Sequence, residues 1–420
     1  MIDRIKFLVN RLREKLWIRP LLMCIFSLIG VFLAKGIETT ALSSRMPSIK
    51  EDSVETLLMT LVGSMLVIAT FAVGSMVSSF ASAASTATPR TFPLVLADDM
   101  SQNALSIFIG AFIFGLVSIV FVKNDFYGDA GLTALFVLTV ITFAIVILTF
   151  VRWIDSIARL GRLGATIDKT RVATEVALQR RRLAPTLGCR MSSPEHKTGR
   201  AVAPSSIGYV QRIDVASLQN YAKINQIRIA IRSLPGTFAA PDVTLAHVLP
   251  DGGDVSKVDL ETIQNAFVIG DRRTFDEDPR FGLVVLSEIA GRALSPAVND
   301  PGTAIDIIGT FVRLFSAWSA PVEEDERGPC MFDRIEAPSL SADDMFDDAF
   351  TSVARDGAGV IEVAARLQKA LRSLASIDNP EIRKAAMQHS RQAVERSDAA
   401  LTSPRDRETV RALAEFSSTL

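Results

Sequence analysis

Long runs without a charged residue dominate the first third of the chain. Residues 56–89 contain none over 34 positions, residues 100–122 none over 23, and residues 130–151 none over 22. A helix needs about 20 apolar residues to cross the hydrocarbon core of a bilayer. A shorter uncharged run, residues 20–34, precedes these three and has Trp17 and basic residues at its edges. The pattern predicts four transmembrane helices, with a cleaved signal peptide as the alternative for the first.

The period of the pattern changes after the fourth run. Residues 154–183 repeat apolar positions every three or four residues, which predicts a basic helix next to anionic headgroups. Residues 185–204 contain three prolines together with Gly and Ser, and they predict a linker. Apolar and polar residues alternate in stretches between residues 207 and 249, which predicts strands. His247 falls on such a strand, where we expect a packed side chain rather than a ligand.

The remainder of the chain is predicted to be mainly helical. Residues 281–294 and 305–315 are expected to form a helical hairpin, because Pro296 ends one helix and Pro301 begins the next. The predicted core of this hairpin consists of Leu286, Ile289, Ile305, Ile308 and Val312. Residues 321–340 are acidic, contain proline and predict a loop. Three further helices are predicted over residues 345–374, 381–400 and 406–417.

These elements predict a membrane α-helical domain of four transmembrane helices followed by a cytoplasmic α+β region. Residues 1–153 form the transmembrane domain, and residues 154–204 form the basic juxtamembrane helix and linker. Residues 205–255 are expected to be a small β-rich domain and residues 256–320 a helical hairpin region. Residues 321–420 then hold the acidic loop and the C-terminal helices.

The distribution of charge predicts the orientation in the membrane. The first 19 residues contain six Lys or Arg residues, and residues 152–182 carry a second basic cluster. Residues 35–55, in contrast, are acidic on balance. Basic residues concentrate on the cytoplasmic side of membrane proteins, so both termini are expected in the cytoplasm. The net charge of the whole chain is −1, and no overall positive field favours nucleic acid as a partner.

A stripe of small and hydroxyl-bearing residues runs along the second predicted span. Its members recur at steps of three and four and are Thr60, Gly63, Ser64, Val67, Thr70, Gly74, Ser78, Ser82 and Ser85. Small residues let helices approach closely within a bilayer, so helix packing is one interpretation. A polar lining for water or ions is the other. No ionisable residue lies inside spans two to four, which argues against a proton relay or an ion pump.

The densest polar sequence flanks the first helix of the predicted hairpin. Its candidate anion- or ligand-binding residues are Arg272, Arg273, Asp278, Arg280, Asn299 and Asp300. Arginines can bind a phosphate or carboxylate in bidentate fashion. The same arginines can instead pair with neighbouring carboxylates, while Asp300 caps a helix. Paired carboxylates can also perform acid–base catalysis. The segment therefore has a structural, a ligand-binding and a catalytic interpretation.

Motifs of other known chemistries are missing from the sequence. It contains no phosphate loop, no G-x-S-x-G, no H-E-x-x-H and no dinucleotide-binding fingerprint at a strand–helix junction. The three cysteines and three histidines are widely spaced and form neither a disulfide framework nor a metal motif. We therefore expect no cofactor, no metal and no enzymatic activity.

Several motifs carry a resemblance to a known family. They are Thr88-Pro89-Arg90, Asp98-Asp99, Gly208-Tyr209-Val210, Pro235-Gly236-Thr237-Phe238, residues 267–274, Asp278-Pro279-Arg280-Phe281-Gly282 and residues 293–304. Together they resemble the bacterial predicted-membrane-protein family catalogued as domain-of-unknown-function family twenty-two fifty-four, over roughly residues 10–318. The resemblance implies a multi-pass protein of the bacterial inner membrane and implies no activity.

A second resemblance concerns the β-rich part alone. Residues 236–248 are similar to a barrel-sandwich fold of the kind that carries biotin or lipoyl groups. No lysine lies between Ser233 and Pro250, and Asp242 stands where such folds often place a turn glycine. A biotin or lipoyl carrier role is therefore not expected.

Two functions from different classes fit these observations. The first is a scaffold or sensor anchored in the lipid bilayer, whose cytoplasmic domain binds a small anion or a protein partner. The second is an oligomeric channel lined by the stripe of span two. Glycines in spans two and three favour a homo-oligomer under either function. Conductance separates the two functions, because only a channel passes ions.

Overall fold

The structure of the protein is a computed structural model. It describes residues 17–36, 49–96, 99–159, 162–192, 199–323, 328 and 330–418. Its contacts divide the chain into two compact units, Met1–Thr166 and Ile167–Leu420. The basic segment before Trp17 and most of the connection before span two, which support the predicted orientation, lie outside the described residues.

The first unit is built from long apolar helices. The helices are α1 (Ile18–Gly36), α2 (Glu51–Thr86), the short α3 (Phe92–Leu96), α4 (Asp99–Val122) and α5 (Asp129–Arg159). All except α3 are long and apolar enough to cross a membrane. A 3-10 turn over Pro89–Thr91 follows α2. Because a residue before proline is displaced from helical geometry, α2 ends before Pro89 as the sequence predicts.

Helix α4 packs against both α1 and α2. A Cβ added at Gly110 would lie 3.0 Å from Met23 Cβ, and one added at Gly115 would lie 2.7 Å from Val62 Cγ2. The two glycines therefore permit the close approach of these helices. The Ser27 hydroxyl donates to the Gly110 carbonyl at 2.8 Å, which joins α1 to α4. Gly110 and Gly115 are thus used for packing within one chain.

The second unit contains two β-sheets that share a core. The five-stranded sheet has the order β1-β8-β4-β6-β2, in which β8 pairs in parallel with β1 and β4 and the other pairs are antiparallel. The three-stranded antiparallel sheet has the order β5-β3-β7. The strands are β1 (Cys189–Met191), β2 (Arg200–Val202), β3 (Gly208–Ile213), β4 (Ile227–Ile231), β5 (Phe238–Ala239), β6 (Ala246–Pro250), β7 (Phe267–Gly270) and β8 (Phe332–Ala337).

The expected similarity of the β-rich part to a barrel-sandwich fold is wrong. Within the described residues the strands form two open sheets, and they do not close into a barrel. The similarity was drawn from residues 236–248, which supply only β5 and part of β6. The two strands belong to different sheets, so this short stretch does not form a fold by itself.

Four strands lie where the sequence predicted none. Strands β1 and β2 fall within the predicted linker, β7 within the predicted hairpin region, and β8 within the predicted acidic loop. Strand β8 carries charged residues at three of its six positions, so it lacks the apolar alternation of a typical strand. The buried Glu336 is compensated by Arg228 of β4, whose Nη1 lies 3.1 Å from Glu336 Oε1. Tertiary pairing, which the local pattern does not reveal, therefore defines this strand.

The remaining elements of the second unit are helices. They are α6 (Leu163–Leu183), α7 (Val215–Asn225), α8 (Leu260–Gln264), α9 (Pro279–Ala293), α10 (Pro301–Trp318), α11 (Ala342–Asp356), α12 (Ile361–Ala375), α13 (Pro380–Ala400) and α14 (Pro404–Leu413). The helix predicted over residues 154–183 is divided between α5 and α6. The helix predicted over residues 345–374 is likewise two helices, α11 and α12, which are separated at Gly357. A Cβ at Gly357 would lie 2.5 Å from Val363 Cγ1, so the turn is tightly packed.

The predicted hairpin corresponds to α9 and α10, which contact each other. Of its predicted core residues, Leu286, Ile289 and Ile308 are buried. Ile305 and Val312 are only half-buried, and the buried positions of α10 include Ile307, Phe311 and Leu314 instead. The buried face of α10 is therefore rotated from the predicted one, because α10 also packs against α12.

Candidate functional site

Asp278 lies at the centre of the arginine–aspartate segment. Its carboxylate is 2% exposed and caps α9 by accepting a hydrogen bond from the backbone N–H of Phe281 at 3.1 Å. Arg273 donates to the same carboxylate through Nε at 2.6 Å and through Nη2 at 3.0 Å. The Arg273 guanidinium also lies 5.3 Å from the centre of the Phe281 ring. Both side chains are therefore held by each other and by the start of α9.

The turn at Pro235-Gly236 closes over this carboxylate. Gly236 has a φ of +96°, and a Cβ at this position would overlap the Asp278 carboxyl group. Glycine is required here for both reasons. Two of the motifs that carry the family resemblance are thus in direct contact.

Arg280 connects α9 to α11. Its Nε donates to Asp348 Oδ2 at 2.5 Å, and its Nη1 donates to Asp344 Oδ2 at 2.8 Å. Burial raises the pKa of Asp348, and the positive charge of Arg280 opposes that shift. Arg273 and Arg280 thus contact carboxylates, whereas the ligand-binding interpretation of Arg272, Arg273 and Arg280 stays a prediction. An anion would have to compete with three carboxylates to reach the two arginines.

The other predicted residues lie elsewhere or remain at the surface. Arg272 is exposed, and its carbonyl accepts from Gln211 Nε2 at 2.8 Å. Asn299 is exposed with a φ of +50° in the turn before α10. Asp300 caps α10 by accepting from the N–H of Thr303 at 3.1 Å, and hydrogen bonds from Thr303 lower its pKa. Because α9 separates Asp278 from Asp300, the six candidates do not converge on one site.

A second group of charges lies next to Asp278. Arg212 Nε is 3.4 Å from Glu277 Oε1. Desolvation raises the pKa of Glu277 to about 7, although the charges of Arg212 and Arg181 act in the opposite direction. Arg181, near the end of α6, is 5% exposed, and burial lowers its pKa while Glu277 and Asp278 oppose this effect.

Arg181 differs from the arginines of the motif segment. Its Nη1 is buried and has no hydrogen-bond partner within the part of the chain that the structure describes. The sequence placed Arg181 in a basic run facing headgroups, so its burial was not predicted. In that run Val172 and Val176 are exposed whereas Ala177 and Leu178 are buried, so the apolar pattern did not reveal which face of α6 is buried.

The stripe of span two lies on the exposed side of α2. The hydroxyls of Thr60, Ser64 and Thr70 donate to carbonyls four residues earlier in the same helix. A Cβ added at Gly63 or Gly74 would meet nothing within 4 Å. An open groove of about 400 Å³ is lined by Phe71, Gly74, Ser75, Ser78, Ser79 and Ile157. The stripe is therefore largely an outer surface of one chain, and Ile157 of α5 borders it beside Gly74 and Ser78.

Metal chemistry has no support in the described residues, where no group of three or more His, Cys, Asp or Glu side chains could hold an ion. His247 is half-buried on β6, and its Nδ1 accepts from Arg232 Nε at 3.3 Å. Cys189 is a buried free thiol, and desolvation raises its pKa to about 12. A thiol with such a pKa stays protonated and is a poor nucleophile.

The matched family is described as "Predicted membrane protein (DUF2254)", and its model covers residues 13–373. The chain belongs to this family. The match contains the motif segments around Asp278 and Asp300 and continues beyond residue 318, where the resemblance drawn from the sequence ends. The four apolar helices of this DUF2254 protein agree with the family description.

Uncharacterized proteins of Mycobacterium tuberculosis and Mycobacterium bovis are similar to part of this DUF2254 protein. Each is 31% identical to it over 156 residues, which is 33% of this chain and 28% of the relative. The chain thus spans little more than a quarter of the length of these relatives. No solved structure matches the chain.

Proposed function

We propose that this DUF2254 protein is a scaffold or sensor anchored in the bacterial inner membrane. Its second unit lies in the cytoplasm and binds a small anion or a protein partner. The four long apolar helices support the anchor, and the basic residues before α1 and after α5 support cytoplasmic termini. We propose no enzymatic activity, because the sequence contains no motif that marks a catalytic nucleophile.

One observation carries the binding role. Arg181 is a buried cation without an ion-pair partner in the described residues, whereas Arg273 and Arg280 are matched by carboxylates. An unpaired buried charge is costly to a folded protein. Such a charge is expected where an anion binds, because a bound anion supplies the missing partner.

A channel is the second candidate function. The groove along α2 supports it, because Gly74, Ser75 and Ser78 present small and polar groups on the outside of the first unit. Several copies would have to surround a common axis for this face to line a pore. The hydroxyls of Thr60, Ser64 and Thr70 already donate within α2, which leaves them only acceptor lone pairs for a permeating ion.

Conductance of the purified protein in liposomes tests the two functions. A scaffold or sensor passes no ions across the bilayer. If the protein conducts, exchange of Ser75, Ser78 or Ser82 for Leu should change the conductance. Val77→Leu is the matched control, because Val77 is exposed on α2 but lies outside the stripe. Conductance that responds to the serines and ignores Val77 would favour the channel.

The proposed topology has its own test. A reporter that is active only outside the cytoplasm should give a signal when it is fused after residue 48. The same reporter should be silent after residue 420. The reverse pattern would place the second unit on the opposite side of the membrane and contradict the proposal.

A further inference from the structure

A cleft of about 650 Å³ opens in the second unit. It lies between the last turn of α6, the end of α10, the segment before α11 and the start of α13. Its walls include Arg181, Arg182, Trp318, Leu340, Ile377 and Asn379. The volume falls in the range of roughly 300–1,000 Å³ that is typical of small-molecule sites. None of the motifs recognised in the sequence contributes to this cleft.

The two consecutive arginines give the cleft its charge. Arg181 is 5% exposed, and its Nη1 has no hydrogen-bond partner among the described residues. The Nη1 of Arg182 donates to the carbonyls of Ala320 at 3.1 Å and Pro321 at 3.3 Å, which fixes its side chain on the wall. The Nε of Arg182 is buried and also has no partner in the described part of the chain. Two positively charged side chains therefore line the cleft at one place.

The neighbouring carboxylates do not cancel the charge of these two arginines. Glu277 and Asp278 influence Arg181 through their charge, but each lies in an ion pair with another arginine, Arg212 or Arg273. Asp378 and Glu381 also line the cleft, yet both are exposed, and the Asp378 carboxylate lies 4.0 Å from Arg383. Water screens a charge at such a rim far more strongly than a charge at a buried wall. The inner part of the cleft is therefore electropositive.

The rest of the wall favours an apolar ligand body. Trp318, Leu340, Ile377 and two prolines contribute apolar surface, and several serine hydroxyls lie among them. Asn379 accepts hydrogen bonds from the backbone N–H groups of Glu381 and Ile382. The Asn379 side chain thus already pairs with these two backbone N–H groups at the start of α13. The arginine side chains are therefore the groups that can bind an anion.

We propose that this cleft binds an organic anion, whose carboxylate or phosphate group lies at Arg181 and Arg182 and whose apolar body lies against Trp318, Leu340 and Ile377. This inference rests on the proposed binding role and names its site and ligand class. A free organic acid and the headgroup of an anionic lipid share this chemistry. The arms of the experiment separate these two sources.

The test uses the full chain in nanodiscs of zwitterionic lipid. Benzoate, acetate and inorganic phosphate are titrated while tryptophan fluorescence is recorded, and a Trp318→Phe protein assigns the signal to the cleft. Benzoate should saturate, and its affinity should exceed that of acetate by about tenfold because its ring buries apolar surface. Equal binding of acetate and benzoate would contradict the apolar wall.

Substitutions connect the signal to the cleft. Arg181→Met should weaken benzoate binding by about tenfold or more, since a charge-assisted contact is lost. The same change should raise the unfolding midpoint of the ligand-free protein, because it removes an unpaired buried charge. A purely structural Arg181 would give the opposite pair of results, a lower midpoint and unchanged binding. Arg180→Gln is the matched control, because Arg180 is exposed and donates to the Asp276 carbonyl.

A second variant keeps the test decisive if Arg181→Met does not fold. Ser339 is exposed and lines the cleft, so Ser339→Trp should fill the space without changing any charge. Benzoate should no longer bind to this variant. Binding that survives both Ser339→Trp and Arg181→Met would overturn the proposal.

Nanodiscs that contain phosphatidylglycerol identify the source of the anion. If the lipid headgroup occupies the cleft, apparent benzoate affinity should fall in these nanodiscs, whereas a free acid as the ligand predicts no change. Both outcomes support an anion site. If neither benzoate, phosphate nor the anionic lipid acts through Arg181, the proposal is wrong, even though the membrane anchor stands. Serine-dependent conductance would instead overturn the scaffold or sensor role and leave the cleft in place.

Discussion

Asp278 and Asp300 cap two successive helices in the same way. Each accepts a hydrogen bond from a backbone N–H three residues later, and each is followed by a proline in the first helical turn. An aspartate cap compensates for N–H groups that a helix cannot pair internally, and proline has no N–H to leave unpaired. Much of the motif segment is therefore accounted for by helix initiation. This device was recognisable in the sequence for Asp300.

Removal of Arg273 tests the structural interpretation of Asp278. Arg273→Ala leaves a nearly fully buried carboxylate with only its capping hydrogen bond. The free energy of unfolding should fall by roughly 1–3 kcal/mol, which is the usual cost of an unsatisfied buried group. The neighbouring Arg272 is exposed, so Arg272→Ala should change stability by less than about 0.5 kcal/mol. Chemical unfolding of the two proteins gives the comparison, and equal losses would contradict the structural role.

His389 is expected to reduce stability at acid pH. Its side chain is 4% exposed beside Phe346 and Phe350, with Nε2 3.3 Å from Asp347 Oδ1. Burial lowers its pKa, so the unfolded chain binds a proton more readily than the folded chain. Stability should therefore fall as the pH drops below about 6.5. The unfolding midpoint of His389→Gln, measured from pH 8 to 5, should fall less steeply than that of the parent.

Glu277 is expected to reduce stability as the pH rises, whereas His389 reduces it as the pH falls. Its pKa is raised from 4.5 to about 7, so between these values the folded chain holds a proton that the unfolded chain releases. Its contribution to stability is complete below pH 4.5 and is lost as the pH rises to about 7. Glu277→Gln should consequently remove a decline in the unfolding midpoint between pH 5 and 7.5. A curve with the same shape as that of the parent would show that Glu277 is already charged at pH 5.

At the scale of elements, the approach of α9 to α6 depends on one glycine. A Cβ added at Gly282 would overlap the buried side chain of Thr174. Gly282→Ala should therefore destabilise the second unit by about 1–3 kcal/mol through overpacking. Gly309 in α10 is the control, because its added Cβ would lie 3.4 Å from the flexible Arg366 Nη2. Gly309→Ala should leave the stability of the second unit unchanged or raise it by up to about 1 kcal/mol through helix propensity. Equal losses of stability from both substitutions would show that contact with Thr174 is unimportant.

Local patterns predicted the elements that have a regular apolar period. Strand β4 (Ile227–Ile231) lies within the alternating stretches between residues 207 and 249, and the long apolar runs correspond to helices. The pattern missed β8, since Asp333, Arg334 and Glu336 interrupt its apolar residues and are compensated by residues far away in sequence. The partners Asp344 and Asp348 of Arg280 were missed for the same reason. Arg181 was also missed, because burial of a charged residue depends on tertiary packing.

At the scale of the whole molecule, we propose a homo-oligomer that uses the open face of α2. Gly110 and Gly115 already pack within the chain, whereas Gly63 and Gly74 face open space. A Cβ added at Gly74 meets no atom of the described chain within 4 Å, so Gly74→Leu should be accommodated in one chain and fill the open groove. The detergent-corrected mass of the parent should be a multiple of 45.6 kDa, and that of Gly74→Leu should fall toward a single chain. A parent mass of one chain in several mild detergents would exclude this assembly.

The position of β8 affects the order in which the second unit can fold during synthesis. Strand β8 occupies an interior position between β1 and β4, yet 100 residues separate it from β4 along the chain. The ribosome therefore releases α9 and α10 before the five-stranded sheet can be completed. Until residue 337 has emerged, β1 has no partner in that sheet and β4 exposes one edge. A nascent or truncated chain that ends before β8 would present this open edge to chaperones and proteases.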